Sequence, residues 1–235
     1  MSSWRIPGHE GRFYHRNAQN GTMARSHMPA PGIVGIVRRT SSNQTSSTPV
    51  FQNTSSPITV VFITTGDTRP HPYSEFPTYD DYHETQAYTQ YNTQYVYSAH
   101  DAAEAQRRLQ TLAEQGFQAD RIVFLGHGNN NGFIFHAEVD EQGNIRPYHN
   151  QASSIFTGNE TGLLQAIGNI RTPNARVEFD ACYVGRNRQL IQNVESVVGT
   201  GNVQSTTGRY SVGVTRTEDP ETGDATFTWE ETSNP

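Results

Sequence analysis

Residues 121–131, RIVFLGHGNNN, include the strand that decides the fold: β-branched, aromatic and leucine side chains that stop abruptly at His127. A second stretch at 175–185, ARVEFDACYVG, has the same form and stops at Cys182. Short apolar runs bounded by turn residues predict buried strands. In an open parallel sheet the carboxyl ends of the strands meet at one edge, where residues distant in sequence can face each other. We therefore expect an imidazole and a thiol together at one edge of a parallel sheet.

An imidazole beside a thiol is what nucleophilic catalysis by cysteine requires. A thiol with an ordinary pKa near ~8.5 is little ionised at neutral pH, and a neighbouring imidazole accepts its proton and stabilises the thiolate. The backbone N–H groups of Gly128 and Cys182 are candidates for an oxyanion hole. Each residue also has a plainer interpretation, because a single cysteine is often a small buried hydrophobe and a histidine beside glycine is often part of a turn.

A strand ending in His-Gly, followed by a strand ending in Asp-Ala-Cys, resembles the clan CD cysteine peptidases. These include caspases, metacaspases, gingipain, clostripain, separase and the self-processing protease domains of large bacterial toxins. The resemblance covers roughly residues 57–214, and its specific part is FLGHG and FDACYVG. It implies a caspase-like three-layer α/β/α sandwich with a mostly parallel sheet, in which His127 is the general base and Cys182 the nucleophile. The caspase-type QACRG or QACQG motif is absent.

Other residues are expected to bind substrate. In caspases an arginine shortly after the first strand helps to form the pocket for the residue preceding the cut, and Arg69 has a similar place here. The segment after the helix that follows the nucleophile lines the specificity pocket in clan CD enzymes, which by position indicates Thr206, Thr207 and Arg209. Asp180, within the cysteine motif, is a further candidate. The sequence identifies no third catalytic residue.

Composition excludes several classes of function. The net charge of −6 argues against nucleic-acid binding, and the single cysteine excludes an intrachain disulfide, which fits a reducing site of action. No run approaches the ~18 apolar residues of a membrane span, and we expect no Sec-type signal because the first residues contain no apolar stretch. We expect no metal or cofactor. A zinc site can be drawn from His127, His136, His149 and Cys182, but the spacings match no common ligand pattern.

All 17 basic residues are arginine. A GC-rich codon bias would remove lysine, yet asparagine, whose codons are equally AT-rich, occurs 17 times. Selection against the amine is the other explanation, because arginine keeps the charge but is not an acceptor for ubiquitin. Enzymatic chains of bacterial toxins that work inside eukaryotic cells resemble this chain in being poor in lysine. We therefore expect a protein secreted by a non-Sec route and acting in a host cytosol, or otherwise a cytoplasmic one.

The chain divides at about residue 56. Residues 1–56 are polar, with six arginines against one glutamate, and are expected to be a flexible leader or a propeptide cut near Arg38 or Arg39. Residues 57–235 are expected to form the peptidase domain. The predicted strands are 58–64, 94–98, 121–125, 133–135, 175–179, 203–207, 210–214 and an edge strand at 225–229.

The predicted helices are 101–115, with Asp101 as its N-cap, 159–170 and 186–198. The last of these begins just after Cys182, so its positive N-terminal end would favour the thiolate. Residues 66–91 are Tyr-rich, contain prolines at 70, 72 and 77, and match neither a single helix nor a single strand. We expect a long functional or flexible loop there.

The sequence thus predicts a cysteine endopeptidase with a Cys/His dyad, whose substrate is a protein or peptide such as a host protein or its own leader. Two alternatives stay open. The same pair can act on another acyl group, as in a glutamine deamidase or an acyltransferase. The chain can also be a catalytically inactive caspase-like module that only binds a partner.

Overall fold

Four α-helices and fifteen short strands make up the described part of the chain. The computed structural model describes residues 2–5, 13–16, 23–26, 56–73, 76–218 and 225–231. The strands are β1 (Ser2–Arg5), β2 (Phe13–Arg16), β3 (Met23–Ser26), β4 (Ile58–Ile63), β5 (Tyr95–Ser98), β6 (Ala119–Gly126), β7 (Gly128–Asn129), β8 (Gly132–Ile134), β9 (Ala137–Val139), β10 (Ile145–Pro147), β11 (Ile155–Phe156), β12 (Arg171–Ala181), β13 (Val203–Ser205), β14 (Val212–Glu218) and β15 (Ala225–Glu231). The helices are α1 (Tyr79–Gln90), α2 (Ala102–Glu114), α3 (Thr161–Ile170) and α4 (Arg188–Val198).

The central sheet has five strands, all parallel, in the order β13-β12-β6-β4-β5. The apolar stretches that end at His127 and Cys182 form its neighbouring central strands, β6 and β12. The expected mixed α/β class with a parallel sheet is therefore confirmed. The arrangement is compatible with an α/β sandwich.

One face of this sheet carries the larger core. Aromatic side chains of three adjacent strands stack there, with ring centroids 5.5 Å apart for Phe62 and Phe124 and 5.1 Å apart for Phe124 and Phe179. Helices α2, α3 and α4 contribute the apolar side chains that close this core. The predicted cap of α2 is confirmed, since the Asp101 carboxylate accepts from the Glu104 N–H at 2.7 Å.

The other face is covered by α1, which the sequence did not predict. Ala87 of this helix and Tyr91, its C-cap, pack on Val61, Val123 and Leu125 of the sheet. The helix lies within the segment expected to be a loop, and its buried positions are mostly polar or aromatic. They are Tyr82, His83, Glu84, Gln86 and Ala87. A helix that buries such side chains has no hydrophobic periodicity for a sequence pattern to detect.

The C-terminal strands β14 and β15 form a hairpin rather than an extra edge of the central sheet. The Trp229 indole of β15 donates to Thr89 Oγ1 of α1 at 2.8 Å, and its ring lies 5.4 Å from Tyr82. Strands β1, β2 and β3 pair with one another in a separate antiparallel sheet. The rest of the expected leader up to residue 55, with Arg38 and Arg39, lies outside the described residues. None of the described helices has the length and apolar character to cross a membrane.

Candidate active site

His127 and Cys182 lie at the same edge of the central sheet. Gly126 at the end of β6 pairs with Ala181 at the end of β12, so the histidine and the cysteine are the next residues on two neighbouring strands. The His127 side chain is 18% exposed, and Cys182 is half-buried as a free thiol. Both side chains are therefore accessible to a substrate as well as being supported by the fold.

The backbone of His127 is held by Thr64 at the end of the neighbouring strand β4. The buried Thr64 hydroxyl accepts from the His127 N–H at 2.8 Å and donates to the Ile134 carbonyl at 2.6 Å. The Ile134 N–H in turn donates to the His127 carbonyl at 2.9 Å. Gly126 has a φ of +134°, and a Cβ there would lie 2.6 Å from the threonine hydroxyl. Only glycine allows this close approach.

The imidazole of His127 is oriented by Asp67, which lies shortly after β4. His127 Nε2 is 2.8 Å from Asp67 Oδ2, and the Asp67 side chain is completely buried. Arg69 donates to the same carboxylate from Nε at 2.9 Å and from Nη2 at 2.8 Å. Burial alone would raise the pKa of Asp67, but the hydrogen bonds from Arg69 and His127 outweigh it and lower that pKa below its usual range. The carboxylate therefore stays charged and holds the Nε2 proton, which leaves Nδ1 to accept another.

The turn that carries Asp67 is fixed by Asp80 in the first turn of α1. The Asp80 carboxylate accepts from the Gly66 N–H at 2.9 Å and from the Asp67 N–H at 3.0 Å. Burial raises the pKa of Asp80, while these two hydrogen bonds oppose the rise. Gly66 has a φ of +92°, and a Cβ there would lie 2.1 Å from the Ala137 carbonyl, so the turn requires glycine.

A second residue of α1, His83, packs directly on the imidazole. The rings of His83 and His127 meet edge to face with centroids 5.2 Å apart, and Tyr79 lies 6.1 Å from His127. His83 is buried, and its Nδ1 has no hydrogen-bond partner among the residues that the structure describes. Burial, reinforced by the nearby His127, lowers the pKa of His83 well below its ordinary value. The neutral imidazole of His83 therefore packs against His127, the candidate base.

Cys182 is followed by a strained turn. Tyr183 has φ 61° and ψ 3°, a left-handed conformation that is costly for a tyrosine and is found most often at functional sites. The Tyr183 N–H donates to the Gly208 carbonyl at 2.8 Å. The Cys182 thiol donates to the Tyr210 carbonyl at 3.7 Å. Within the described ranges no hydrogen bond joins the thiol to His127, so the thiol in this arrangement is turned to the loop 206–210.

The two residues expected to supply an oxyanion hole are neighbours. A Cβ on Gly128 would lie 2.8 Å from the Cys182 carbonyl oxygen and 2.5 Å from a Val184 methyl group. This contact requires glycine at position 128 and brings the backbones of Gly128 and Cys182 together.

The helix after Cys182 begins later than the sequence indicated. Val184–Arg186 forms a 3-10 turn, and α4 begins at Arg188 with Asn187 as its cap, whose side chain accepts from the Leu190 N–H at 3.0 Å. The expected start at residue 186 was therefore wrong. The helix begins two residues further from Cys182 than predicted.

Two of the residues expected to bind substrate, Arg69 and Asp180, have partners within the fold, and their contacts with a substrate stay a prediction. Arg69 binds Asp67, donates from Nη1 to the Gly143 carbonyl at 2.9 Å and has its guanidinium 5.0 Å from the Tyr79 ring centroid. Asp180 is 2% exposed and accepts from the Tyr91 hydroxyl. These contacts give both residues structural partners within the fold.

The other three lie on the loop 206–210 beside the cysteine. The Thr206 hydroxyl donates to the Ala181 carbonyl. The Thr207 carbonyl accepts from Arg186 Nε at 2.7 Å. Thr207 and Arg209 are exposed. The loop thus borders Cys182, as the position of these residues predicted, while their contacts with a substrate stay a prediction.

Two other polar features lie elsewhere. His136 packs between His100 and Tyr148 at ring distances of 4.9 and 4.4 Å, and no described group of three or more His, Cys, Asp or Glu side chains is placed to hold a metal ion. An open polar cavity of about 560 Å³ is lined by residues such as Thr59 and Arg121, near the opposite ends of the strands. Neither feature adjoins the thiol, so we assign the site by the geometry around Cys182.

Sequence reasoning missed Asp67, Asp80 and His83. A signal for Asp67 existed, because β4 also ends at the sheet edge that carries His127, and an acidic residue soon after a strand end is a candidate there. Asp80 and His83 lie on the helix that was not predicted. Comparison with known proteins adds no assignment: no protein-family model, no curated protein and no solved structure matches the chain.

Proposed function

We propose that this chain is a cysteine endopeptidase of clan CD type with a caspase-like fold. Cys182 is the nucleophile, His127 the general base and Asp67 the carboxylate that orients the base. One observation carries the proposal: the thiol and the imidazole follow paired residues of adjacent parallel strands, and the imidazole is bound at 2.8 Å by a completely buried carboxylate. A buried charge is costly and persists where it is paired, and Asp67 is paired both with Arg69 and with the His127 imidazole, which supports a role in orienting the base.

The chemistry follows from this arrangement. His127 Nδ1 accepts the thiol proton, and the Cys182 thiolate attacks the scissile carbonyl carbon. The N–H groups of Gly128 and Cys182 stabilise the oxyanion. The tetrahedral intermediate breaks its C–N bond while His127 returns the proton to the leaving amine, and a water activated by His127 then hydrolyses the thioester. The thiol must first leave the Tyr210 carbonyl, which a rotation about the cysteine side-chain bond provides.

The biological setting is part of the proposal. The complete absence of lysine supports a secreted effector or toxin that acts in a host cytosol on a protein substrate. A cytoplasmic peptidase in its own cell is the simpler alternative.

A different function has one observation in its favour. The loop 206–210 is tied to the cysteine segment by the contacts of Tyr183, Gly185, Arg186 and Cys182 with its carbonyl groups. A thiol bound in this way favours a catalytically inactive module that only binds a partner. A deamidase or acyltransferase would use the same pair and differ only in its product.

Covalent labelling separates an enzyme from a binder. The folded protein is treated with a peptidyl acyloxymethyl ketone, and the adduct is located by mass spectrometry. We expect one thioether on Cys182, with a labelling rate that falls at least roughly a hundredfold in His127→Ala, because the base generates the thiolate. Arg107→Gln, an exposed change on α2, is the control and should label as wild type does. Absence of labelling in a folded protein whose thiol reacts normally once denatured would refute the proposal.

A further inference from the structure

An aromatic surface adjoins the imidazole of His127. The ring centroid of Tyr79, the half-buried first residue of α1, lies 6.1 Å from that of His127. The ring of His71 meets Tyr79 edge to face at 4.6 Å, and Tyr73 lies 5.2 Å from His71. The rings of Tyr79, His71 and Tyr73 therefore form a continuous surface, here called the aromatic wall, that leads from the candidate base to solvent.

The outer end of the aromatic wall is exposed. Tyr73 is 42% exposed, and in the described part of the chain only one other large hydrophobic side chain, Tyr148 at 38%, is comparably exposed. Aromatic rings that stay together at a surface mark places where another molecule binds. The wall is also supported from within, because His71 stacks on the buried ring of Tyr82 at 4.2 Å and meets the buried Phe76 edge to face at 5.6 Å. It is thus an apolar surface that the fold holds in place.

The order of the strands places the aromatic wall on the far side of His127 from Cys182. Cys182 follows β12, His127 follows β6, and the connection from β4 to α1 carries His71 and Tyr73. The three strands are neighbours in that order in the parallel sheet, so their carboxyl ends form a row from the thiol to the wall. The loop 206–210 borders the opposite end of this row, at Cys182.

This position determines which part of a substrate meets the wall. In peptide hydrolysis the base returns its proton to the nitrogen of the leaving amine. The leaving amine must therefore lie beside His127, and the residues that follow the scissile bond extend away from Cys182. Their side chains come next to the aromatic wall.

The chemistry of the wall favours apolar side chains over basic ones. Aromatic rings attract both apolar groups and cations. At Tyr79, however, the guanidinium of Arg69 already lies 5.0 Å from the ring centroid, and it repels a second cation. An aromatic or large aliphatic side chain gains contact with the rings without meeting this repulsion.

On this basis we propose that the aromatic wall is a subsite for a large apolar side chain among the first three residues after the scissile bond. Tyr79 and Tyr73 act as specificity-determining residues, with Tyr79 nearer the cut and Tyr73 further along the leaving segment. An extended peptide advances at most about 3.6 Å per residue, so a wall of three rings spans a few of its residues. The inference rests on the proposed peptidase function and adds to it the class of residue that the leaving segment carries.

Cleavage of a peptide library tests the proposal. A proteome-derived peptide mixture is digested with the wild-type protein and the cut sites are sequenced. We expect Phe, Tyr, Trp, Leu and Met to be enriched at the first three positions after the cut. kcat/KM is then measured for two peptides that differ only there, with Phe in one and Ser in the other. The Phe peptide should be preferred by roughly ten- to thirtyfold. The preference should not weaken as salt rises from about 50 to about 500 mM, because salt screens charges and not apolar contacts.

Variants at Tyr73 separate recognition from folding, because this side chain is exposed. Tyr73→Ser should reduce the preference for the Phe peptide by at least roughly threefold, and Tyr73→Phe should keep it. Tyr148→Ser, the matched change at the other exposed tyrosine, should leave the preference unchanged. If the wild type cuts peptides without enrichment of apolar residues after the bond, or if Tyr73→Ser keeps the full preference, the proposed subsite is wrong and the peptidase assignment stands. If the wild type cuts no peptide, the peptidase assignment fails and the subsite fails with it.

Discussion

At the scale of single residues, the candidate site depends on a carboxylate that has no contact with solvent. Asp67 is completely buried, yet its pKa is lowered, because Arg69 and His127 bind both of its oxygens and outweigh the cost of burial. The same carboxylate therefore neutralises Arg69 and selects the tautomer of His127. Such a group serves both stability and chemistry, and a test has to measure the two separately.

Replacing Asp67 with Asn should lower the activity, because it changes the protonation and orientation of the His127 imidazole. The amide keeps the size of the side chain but removes the charge that favours the imidazolium and fixes its Nε2 proton, so we expect kcat/KM to fall by at least roughly a hundredfold. The free energy of unfolding should also fall, by about 1–3 kcal/mol, because the Arg69 guanidinium loses its ion pair. Peptide hydrolysis and urea unfolding measure the two effects. Wild-type kcat/KM in the folded variant would show that His127 needs no orienting carboxylate.

The residues of the site differ in how well the sequence predicts their positions. His127 and Cys182 each close an apolar strand, and this pattern was sufficient to place them at one sheet edge. Asp67 is separated from its strand by Thr64, Thr65 and Gly66, so the end of β4 indicates the edge of the sheet where it lies but not that the turn folds back under the imidazole. The contact is created by Asp80, which binds the N–H groups of Gly66 and Asp67 from another element.

At the scale of elements, α1 contributes two side chains that hold the site in place. Its first turn supplies Asp80, and its next turn supplies His83, which packs on His127. Its N-terminus is capped locally, since the Thr78 hydroxyl accepts from the Asp81 N–H at 3.2 Å and donates to the Asp81 carboxylate at 2.7 Å. The helix was missed because it buries polar groups, whereas α2, α3 and α4 present apolar stripes and were predicted close to their observed bounds. The starts of α3 and α4 each lie two residues later than predicted, and at α4 a 3-10 turn and the Asn187 cap intervene.

Burial of His83 should make stability depend on pH. Its pKa in the folded protein is lowered well below the ordinary value, so between the two values the unfolded chain binds more protons than the folded one. This part of the stability is present above pH ~6.5 and is lost as the pH falls, by up to about 1.4 kcal/mol per pH unit.

The measurement is urea unfolding at pH 7.5 and pH 5.5. We expect His83→Phe, which keeps an aromatic ring on His127, to reduce the loss of stability between the two pH values. His100→Gln, at an exposed histidine, is the control and should leave the loss close to that of wild type. An equal loss in wild type and in His83→Phe would mean that His83 is not held neutral by the fold.

At the scale of the whole molecule, the parallel sheet follows from the apolar strands, but the pairing of its C-terminal segment does not. Strand β15 alternates polar and apolar residues, which predicted an edge strand, and it pairs with β14 over α1 instead. Side chains such as Trp229 reach Tyr82 and Thr89 on that helix, so the position of the hairpin depended on a helix that could not be predicted. A helix that is missed in the sequence therefore also leads to a wrong position for the strand that packs on it.

Removing residues 1–56 should leave the thermal stability of the remaining chain nearly unchanged. The segment is rich in Ser, Thr, Asn, Gln and Arg, and so polar a composition buries little apolar surface to offset the entropy of ordering it. Calorimetry of the full chain and of residues 57–235 provides the comparison. A fall in Tm of more than ~5 °C, equivalent to around 1 kcal/mol in a domain of modest size, would show that the segment packs on the domain.

Introducing lysine should shorten the lifetime of the protein in a eukaryotic cytosol if the absence of lysine is protective. Arg107 and Arg108 lie on α2, and lysine keeps both the charge and the helix propensity at these positions. In a chase experiment we expect the double variant, Arg107→Lys with Arg108→Lys, to have a shorter half-life than the wild type. A proteasome inhibitor should restore the wild-type half-life. The change to Gln at the same positions adds no amine and serves as the control. Equal half-lives for the wild-type, Lys and Gln proteins would remove the argument for a host-directed effector.

The most direct test of the central claim compares cleaved protein termini. A eukaryotic lysate is incubated with the wild-type protein, with Cys182→Ala or with His127→Ala, and new N-termini are quantified by mass spectrometry, after circular dichroism has shown that all three proteins fold. Because the members of a catalytic unit each lose several powers of ten, a discrete set of new termini should appear with the wild type alone. The same termini in all three samples, or none in any of them, would contradict the assignment of Cys182 and His127 as a peptidase pair.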